Sequence, residues 1–230
     1  MNSSGGYQDL SKALGYEFGA PELLARALTH RSFANESGNE VDDNERLEFL
    51  GDAVIGLAVG HELMERFPDV AEGQLSVLRA QLVSETGLAR AARSLQLGSW
   101  LRLGKGEAQT GGRDKSSLLS DAFEAVCAAV YLDGGFEPAR ALIIRLLGVG
   151  LSEIEAGVSH DFKTRLQERA QAVCKEAPVY EVVDATGPDH DKRFTVRVLI
   201  AGDEMGSATG RSKKSAEQDA ARQALDRFDD

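Results

Sequence analysis

Cysteine, proline and long apolar runs are all scarce in this sequence of 230 residues, and these absences exclude several classes of protein. The two cysteines, Cys127 and Cys174, provide neither a disulfide framework nor a metal-binding pair, so we expect a reducing compartment. The longest apolar stretches, such as 141–149, fall far short of the roughly 20 residues that a membrane helix requires. The N-terminus lacks the basic flank and apolar core of a secretory signal, so we expect a cytoplasmic protein without membrane spans.

Positive charge is also in short supply. The chain has 37 acidic and 26 basic residues, a net charge of −11. This balance argues against a nucleic-acid partner, because affinity for phosphate backbones comes mainly from lysine and arginine. The excess of acidic residues is distributed unevenly along the chain, however, since residues 1–157 have a net charge of −9 and residues 158–230 have a net charge of −2. The acidity of the first part therefore needs its own explanation.

Hydrophobic periodicity divides the chain into two parts. With 42% hydrophobic and 27% charged residues, the composition is that of a folded globular protein. The first part shows only helical patterns and a glycine-rich stretch, Gly104–Gly112, that predicts a mobile loop. We predict a multidomain chain, with an all-α domain at 1–154, a linker at 155–160 and an α-β-β-β-α (α+β) domain at 161–230. The predicted helices cover about 7–14, 21–29, 44–66, 72–82, 84–97, 118–133, 136–154, 161–173 and 213–228, and the strands about 180–184, 193–200 and 205–210.

Acidic residues share one face of the predicted helix at 44–66. In the string NERLEFLGD, Glu45, Glu48 and Asp52 are three and four residues apart, which brings them within about 60° of one another around the helix. The helix is otherwise apolar nearly all round, with Phe49 beside the acidic stripe, and such a pattern predicts a buried helix. The three carboxylates are therefore expected in an apolar environment.

A second predicted helix repeats this arrangement, because Asp121 and Glu124 stand three residues apart among apolar neighbours. Burying carboxylates costs on the order of several kcal/mol each unless they are protonated, paired with cations or bound to a metal. Metal binding explains the clustering best, and a ligand set of oxygen alone suits Mg²⁺, Mn²⁺ or Ca²⁺ rather than zinc. Pairing with arginines such as Arg46 or Arg79, or a plain exposed acidic face, is the alternative. A di-iron bundle would need Glu-x-x-His on facing helices, which is supplied by none of His30, His61, His160 and His190.

Three strings of the first part, NERLEFLGD, EGQLSVLRAQLV and KSSLLSDAFEAVCAAVYLDGG, together resemble the bacterial ribonuclease III family. The later strings DFKTRLQE, GPDH and SATGRSKKSAEQDAARQAL resemble the double-stranded-RNA-binding domain that these enzymes carry at the C-terminus. The resemblance implies a homodimeric endoribonuclease that hydrolyses phosphodiester bonds on both strands of double-stranded RNA. It further implies 5′-phosphate and 3′-hydroxyl ends with short 3′ overhangs, and substrates such as ribosomal RNA precursors and other structured transcripts.

The same resemblance assigns roles to individual residues. Catalytic Mg²⁺, for which Mn²⁺ can substitute, would bridge carboxylates and scissile phosphate, generate hydroxide and stabilise the leaving 3′-oxygen. Phe49 matches a family residue that inserts into a pocket on the partner subunit, although its position alone would make it core. Glu72 begins a helix, where the helix dipole favours an acid in any protein. The implied metal ligands are Glu48, Asp52, Asp121 and Glu124, and the implied catalytic residues are Asp52, Glu124, Glu45 and Glu72.

Basic residues at the start of the last predicted helix point to RNA. Lys213 and Lys214 follow Ser212, a suitable helix cap, although positive charge there opposes the helix dipole. A protein tolerates this arrangement if phosphate binds there, whereas any single lysine could also be simply solvated. With Arg211, these lysines are predicted to contact phosphates across the duplex groove. Minor-groove edges and 2′-hydroxyls are predicted to be contacted by Gln167, Glu168 and His190.

Three functions therefore stay open on the sequence. They are a metal-dependent double-strand endoribonuclease, a catalytically silent protein that binds double-stranded RNA, and a metal-storing helical protein. The complete set of acids argues against the second function. The appended α-β-β-β-α domain argues against the third, which has no use for it.

Overall fold

The computed structural model describes residues 7–38, 41–68, 70–159, 161–188 and 192–229. The chain divides into two compact units, with the boundary between Ser152 and Glu153. Helices build the first unit, and the second contains a three-stranded antiparallel sheet with helices. This order of elements confirms the predicted fold class. Among the described residues, no helix combines the length and the apolarity that crossing a lipid bilayer requires.

The first unit holds ten helices among its described residues, and an eleventh crosses the boundary between the units. These helices are α1 (Gln8–Leu14), α2 (Pro21–Ala27), α3 (Arg31–Glu36), α4 (Glu45–Arg66), α5 (Glu72–Leu82), α6 (Glu85–Ser94), α7 (Leu97–Trp100), α8 (Lys105–Gln109), α9 (Ser116–Gly134), α10 (Phe136–Leu146) and α11 (Gly148–Ser159), with a 3₁₀ turn at Gly112–Asp114.

Helices α4 and α9 form the centre of the first unit. Every residue of α9 from Leu119 to Val130 is buried except Asp121 and Glu124, which are half-buried. The prediction that α4 is buried on nearly all sides is wrong, since Phe49 is 83% exposed and other apolar side chains of this helix are exposed as well. One face of α4 packs on α9, whereas part of its apolar surface has no cover within the chain.

Three local features differ from the prediction. Helix α3 is short and lacks an apolar period, so periodicity missed it. The stretch 104–112 contains α8 rather than only an irregular loop, and an ion pair between Lys115 Nζ and Glu107 Oε1, 2.5 Å apart, joins this segment to the start of α9. The linker expected at 155–160 is helical through Ser159, and residue 160 lies outside the described part of the chain.

The second unit has the predicted order of helix, three strands and helix. Its core consists of apolar residues from both helices and the middle strand, with Leu166, Ala170, Val198 and Ala220 all fully buried. A Cβ on Gly210 would lie 2.6 Å from the backbone nitrogen of Ala216, so glycine lets the third strand touch the last helix. The elements are α12 (Phe162–Val173), β1 (Val179–Thr186), β2 (Arg193–Ile200), β3 (Asp203–Gly210) and α13 (Lys213–Asp229), with the strands in the order β1-β2-β3.

Candidate functional site

Close contact between the backbones of α4 and α9 brings the two predicted acidic sets together. Gly51 lies in α4 between Glu48 and Asp52, and it is buried against α9. A Cβ at this position would lie 2.0 Å from the carbonyl oxygen of Glu124, which no side chain permits. Glycine therefore allows the helices to approach closely enough for acids from both to meet.

Three of the predicted metal ligands form one cluster. Glu48, Asp121 and Glu124 each offer a carboxylate oxygen, and these three atoms lie within 4.8 Å of one another. Oxygens bound to a single Mg²⁺ or Ca²⁺ at about 2.1 to 2.5 Å lie at most about 4 to 5 Å apart. The spacing and the oxygen-only donor set therefore fit a divalent cation. We refer to Glu48, Asp121 and Glu124 as the acidic cluster.

Electrostatics within the acidic cluster favour a cation. Burial, followed by the charges of Asp52, Glu48 and Asp121, raises the pKa of Glu124 to about 8. Burial also raises the pKa of Glu48, with further increases from Asp121 and Glu45. These groups resist ionising together, because each carboxylate disfavours a second negative charge nearby. A bound cation would relieve that repulsion.

Asp52 borders the acidic cluster rather than belonging to it. Its side chain is exposed, and its oxygens are not among the three that lie together. It is nevertheless close to Glu124, because its charge is the largest electrostatic cause of the raised pKa of that residue after burial. Of the four predicted metal ligands, Asp52 is thus the one most accessible to solvent and substrate.

Glu45 lies at the edge of the acidic cluster and has a cationic partner. Arg31 Nη1 is 3.2 Å from Glu45 Oε1, and the charge of Arg31 partly offsets the rise in the pKa of Glu48 that burial causes. In the described part of the chain, no lysine or arginine forms an ion pair with the three cluster acids or with Asp52. The alternative of pairing with Arg46 or Arg79 is therefore wrong for these acids.

The structure does not bring Glu72 to the acidic cluster of its own chain. Glu72 begins α5, where it accepts a hydrogen bond from Ser76 Oγ at 2.9 Å. It lines a groove of about 710 Å³ between α4 and α5, together with apolar residues such as Leu57 and Met64. We refer to this as the α4–α5 groove.

Exposed apolar side chains lie on α4, the helix that forms one wall of the α4–α5 groove. Phe49 is 83% exposed, and Leu57 and Met64, which line the groove, are 61% and 67% exposed. The alternative that Phe49 is an ordinary core residue is therefore wrong. Apolar groups of this size on one helix mark a surface suited to protein contact.

His30 is a neighbour of the acidic cluster that sequence reasoning missed. In the sequence, His30 does not belong to a Glu-x-x-His ligand pair, the pattern that would mark a histidine near these acids as a metal ligand. Burial raises the pKa of Asp121, and a positive charge on His30 opposes that rise, so the imidazole lies in the neighbourhood of that carboxylate. No signal in the sequence places it there, because 90 residues separate the two.

The predicted RNA contacts of the second unit are exposed. Lys213 and Lys214 begin α13, and Ser212 Oγ accepts a hydrogen bond from the backbone N–H of Ser215 at 3.1 Å, which confirms the predicted cap. Lys213 Nζ also lies 5.9 Å from the centre of the Phe194 ring. The other exposed residues of the predicted set are Arg211 beside α13 and Gln167 and Glu168 on α12, whereas His190 lies outside the described residues.

Known proteins are similar to this chain along almost its entire length. A family model described as Ribonuclease-III-like matches residues 20–149, and one described as Double-stranded RNA binding motif matches residues 162–227. Ribonuclease 3 of Syntrophobacter fumaroxidans is 48% identical over 98% of this chain and 96% of its own length. Ribonuclease 3 of Myxococcus xanthus is 46% identical over 99% of this chain and 88% of its own length.

Solved structures include a similar fold for the first unit. The nuclease domain of ribonuclease III from Campylobacter jejuni is 45% identical, with a TM-score of 0.59. The match covers 63% of this chain and 98% of that one. That structure is described as showing flexibility in a region involved in dimer formation.

Proposed function

The chain belongs to the ribonuclease III family, and we propose that it is a divalent-metal-dependent endoribonuclease that cuts both strands of double-stranded RNA. The proposed products carry 5′-phosphate and 3′-hydroxyl ends with short 3′ overhangs. The observation that carries the proposal is the acidic cluster, whose three carboxylates lie within 4.8 Å of one another without a cationic partner among the described residues. Base-paired ribosomal RNA precursors and other structured transcripts are the proposed substrates.

Mg²⁺ is the proposed cofactor, with Mn²⁺ as a substitute. Glu48, Asp121 and Glu124 would hold the ion, and Asp52 would complete the ligand set from the solvent side. A divalent cation supplies Lewis-acid stabilisation of phosphate oxygens and makes water more acidic. The carboxylates orient the ion, and their combined negative charge keeps RNA away from the site until a cation neutralises it.

The remaining acids act at the edges of the site in this proposal. Glu45 restrains Arg31, the guanidinium group beside the acidic cluster, through their ion pair at 3.2 Å. This pair keeps a cation at the border of the site, where an RNA phosphate adjacent to the cleaved one would pass. Glu72 lines the α4–α5 groove, so we assign its catalytic role to the assembled dimer rather than to the single chain.

A homodimer is proposed from the apolar surface of α4. The Phe49 side chain is 83% exposed, and the α4–α5 groove offers a cavity of about 710 Å³ on the same helix. Burial of an aromatic side chain in such a cavity is typical of an interface anchor. We propose that Phe49 of each subunit inserts into the partner's apolar surface.

Binding of the RNA duplex is proposed for the second unit. Lys213, Lys214 and Arg211 would contact phosphates, because all three are exposed around the start of α13. Shape and 2′-hydroxyls, rather than base sequence, would then select A-form RNA. The proposed contacts to the minor groove come from Gln167, Glu168 and His190.

Incubation with a long RNA duplex, with and without Mg²⁺, tests the proposal. We expect cleavage only with the metal, and products with 5′-phosphate ends and short 3′ overhangs. Glu124→Ala should reduce turnover by more than about 100-fold, the upper range for loss of an outer-shell partner of a metal, because it removes a ligand itself. Duplex binding should persist in this variant, measured by gel shift with EDTA.

A matched control distinguishes the loss of a ligand from the loss of any acid. Glu137→Ala removes an exposed carboxylate from α10 and should leave cleavage unchanged. Binding without cleavage by the unaltered chain would identify a silent RNA-binding protein instead. Near-normal turnover by Glu124→Ala would refute the metal assignment.

A further inference from the structure

Arg31, the first residue of α3, is fixed beside the first turn of α4. Two buried polar residues, Thr29 and Asn44, join the segments that precede these two helices. The backbone N–H of Asn44 donates to the carbonyl oxygen of Thr29 at 2.9 Å, and Asn44 Nδ2 donates to that of Ala27 at 3.2 Å. Breaking these bonds would leave buried polar groups unpaired, which is costly. The starts of α3 and α4 are therefore held side by side.

The Arg31 side chain reaches the acid that begins α4. Arg31 Nη1 donates to Glu45 Oε1 at 3.2 Å. Glu45 and Glu48 are three residues apart on α4, so their Cβ atoms are about 5 to 6 Å apart on one face of the helix. Glu48 in turn belongs to the acidic cluster. The guanidinium group of Arg31 is thus bound to the side chain one helical turn before the proposed metal site.

Neighbouring arginines have partners that fix the fold, whereas Arg31 remains largely exposed. Arg26 Nε donates to a backbone carbonyl oxygen just before α4 at 3.0 Å, and the Arg102 guanidinium carbon lies 4.3 Å from the centre of the Phe33 ring. The Arg31 side chain is 66% exposed, and among the described residues it donates to Glu45 alone. A guanidinium group has five N–H donors, so most of those of Arg31 remain available to a ligand.

An exposed arginine beside a metal site suits a phosphodiester backbone. The planar donors of arginine match two phosphate oxygens at once, and charge-assisted hydrogen bonds of this kind are strong. Successive phosphates of one strand are about 3 Å apart along the axis of a duplex, and a helical turn of α4 rises about 5.4 Å. A duplex whose scissile phosphate lies at the acidic cluster can therefore present a flanking phosphate to Arg31.

We propose that Arg31 binds a phosphate that flanks the scissile one, and that Glu45 is a positioning residue that orients the guanidinium group for this contact. The inference rests on the proposed function, since it takes the acidic cluster to bind the metal at the scissile phosphate. It differs from the catalytic role that the family resemblance implies for Glu45. The carboxylate acts through Arg31 rather than on the reacting atoms.

Cleavage of a long RNA duplex in Mg²⁺ at several salt concentrations tests the role of Arg31. We expect Arg31→Ala to raise KM at least about 10-fold with little change in kcat, because a flanking phosphate is bound equally in the ground state and the transition state. The slope of log KM against log salt should fall by up to about one unit, the effect of losing one phosphate contact.

Two further variants serve as comparisons for Arg31→Ala. Arg31→Lys retains the charge but loses the planar donors, so it should retain the salt slope while KM rises by a smaller factor. Arg46→Ala removes another exposed arginine, which directly follows Glu45 and is turned about 100° away around α4. This control should change neither KM nor the salt slope.

A double-mutant cycle tests whether Glu45 acts through Arg31. Glu45→Ala should raise KM by a smaller factor than Arg31→Ala, and it should have no further effect in a chain that already carries Arg31→Ala. Glu45→Gln keeps an oxygen that can accept from the guanidinium group, so it should recover part of the loss. Arg31→Ala should bind Mn²⁺ no more weakly than the unaltered chain, followed by electron paramagnetic resonance, because it removes no ligand. Its unfolding temperature should be unchanged, since exposed ion pairs add little stability.

Failure of this inference differs from failure of the proposed function. If Arg31→Ala leaves KM and its salt dependence unchanged, Arg31 binds no phosphate. If the effects of Arg31→Ala and Glu45→Ala multiply in the double variant, Glu45 acts independently and its positioning role is refuted. A lower unfolding temperature together with weaker Mn²⁺ binding in Arg31→Ala would make its effect structural and overturn the inference. In all three cases the unaltered chain still cleaves the duplex, whereas no metal-dependent cleavage by the unaltered chain would refute the proposed function itself.

Discussion

The two units of this protein differ in how deeply the charged side chains of their candidate binding sites are buried. In the first unit, carboxylates of the acidic cluster are half-buried beside one another, and the pKa of Glu124 rises to about 8. In the second, charged groups lie at the surface, where Arg197 pairs with Glu181 at 2.7 Å and Lys213 is exposed. The first unit thus concentrates unbalanced negative charge in a low-dielectric place, whereas the second has Lys213 in water and Arg197 in an exposed ion pair.

This difference separates two ways of binding. Repulsion between buried carboxylates destabilises the metal-free fold, and a small hard cation removes that repulsion. Exposed lysines contribute little to stability, but they can neutralise phosphates and release condensed counterions. We therefore expect the first unit to respond strongly to pH and divalent metal, and the second to respond to salt.

The largest expected effect comes from disturbing the close contact between α4 and α9 at Gly51. Gly51→Ala places a Cβ 2.0 Å from the backbone oxygen of Glu124, so α4 and α9 must separate. We expect a loss of at least about 3 kcal/mol, at the upper end for overpacking because the obstructing atom is backbone. Calorimetry should show a lower unfolding temperature for the helical unit, and cleavage should be abolished.

A glycine with free space around it provides the control for this substitution. Gly73 lies in α5, and a Cβ there would meet no atom within 4 Å. Gly73→Ala should unfold at the same temperature as the unaltered chain or slightly above it. Equal behaviour of the two alanine variants would show that the contact between α4 and α9 is not needed.

The second prediction concerns the apolar surface of the helical unit. Phe49→Ala should weaken dimerisation by about 2 to 3 kcal/mol if Phe49 is an interface anchor. Folding of the single chain should be unaffected, because the side chain is 83% exposed. Sedimentation equilibrium over a range of concentrations measures this effect. Leu132→Ala, at a 51% exposed position of α9 outside the groove, is the control, and equal dimerisation by both variants would exclude Phe49 from the interface.

The third prediction uses the pH response of the acidic cluster. The pKa of Glu124 is raised from 4.5 to about 8 in the folded chain, so the folded state retains a proton that the unfolded state loses. Stability of the metal-free protein should therefore fall as the pH rises from 4.5 to about 8, and the loss of stability is complete above that range. Glu124→Gln removes the charge, so at pH 8.5 this variant should be more stable than the unaltered chain by about 1 to 2 kcal/mol. This value is smaller than the full pKa shift implies, because solvent screens a carboxylate that is only half-buried.

Chemical denaturation in EDTA at several pH values measures this difference. The advantage of Glu124→Gln should disappear below the ordinary pKa of glutamate, where both chains are neutral at this position. Glu137→Gln changes an exposed carboxylate of α10 and should show no such pH-dependent gain. A constant difference between Glu124→Gln and the unaltered chain at all pH values would contradict the mutual repulsion of these acids.

The smallest effect concerns the second unit. Replacing Lys213 and Lys214 by alanine should lower the slope of log affinity against log salt by up to about one unit per lost phosphate contact. Affinity should fall equally for all RNA duplexes, and the preference for RNA over DNA duplexes should persist because it depends on shape and 2′-hydroxyls. Binding isotherms at a series of salt concentrations measure both. An unaltered slope would show that these lysines contact no phosphate. A loss of affinity that differs between duplex sequences would show that they contact base edges.

Local spacing in the sequence was enough to predict much of this protein. The spacings of Glu45, Glu48 and Asp52, and of Asp121 and Glu124, placed each set on one helical face, because the period of a helix is fixed by its backbone. Alternation and capping predicted the strands and the start of α13 in the same way. These features depend only on residues a few positions apart.

Tertiary structure decided how the local pieces combine. The sequence could not show that Gly51 lets α4 touch α9, or that Glu72 faces a groove instead of the acidic cluster. It also predicted a buried α4, although Phe49 is exposed. Apolar periodicity reports which side chains avoid water, but not what covers them, because packing joins residues that are far apart in the chain.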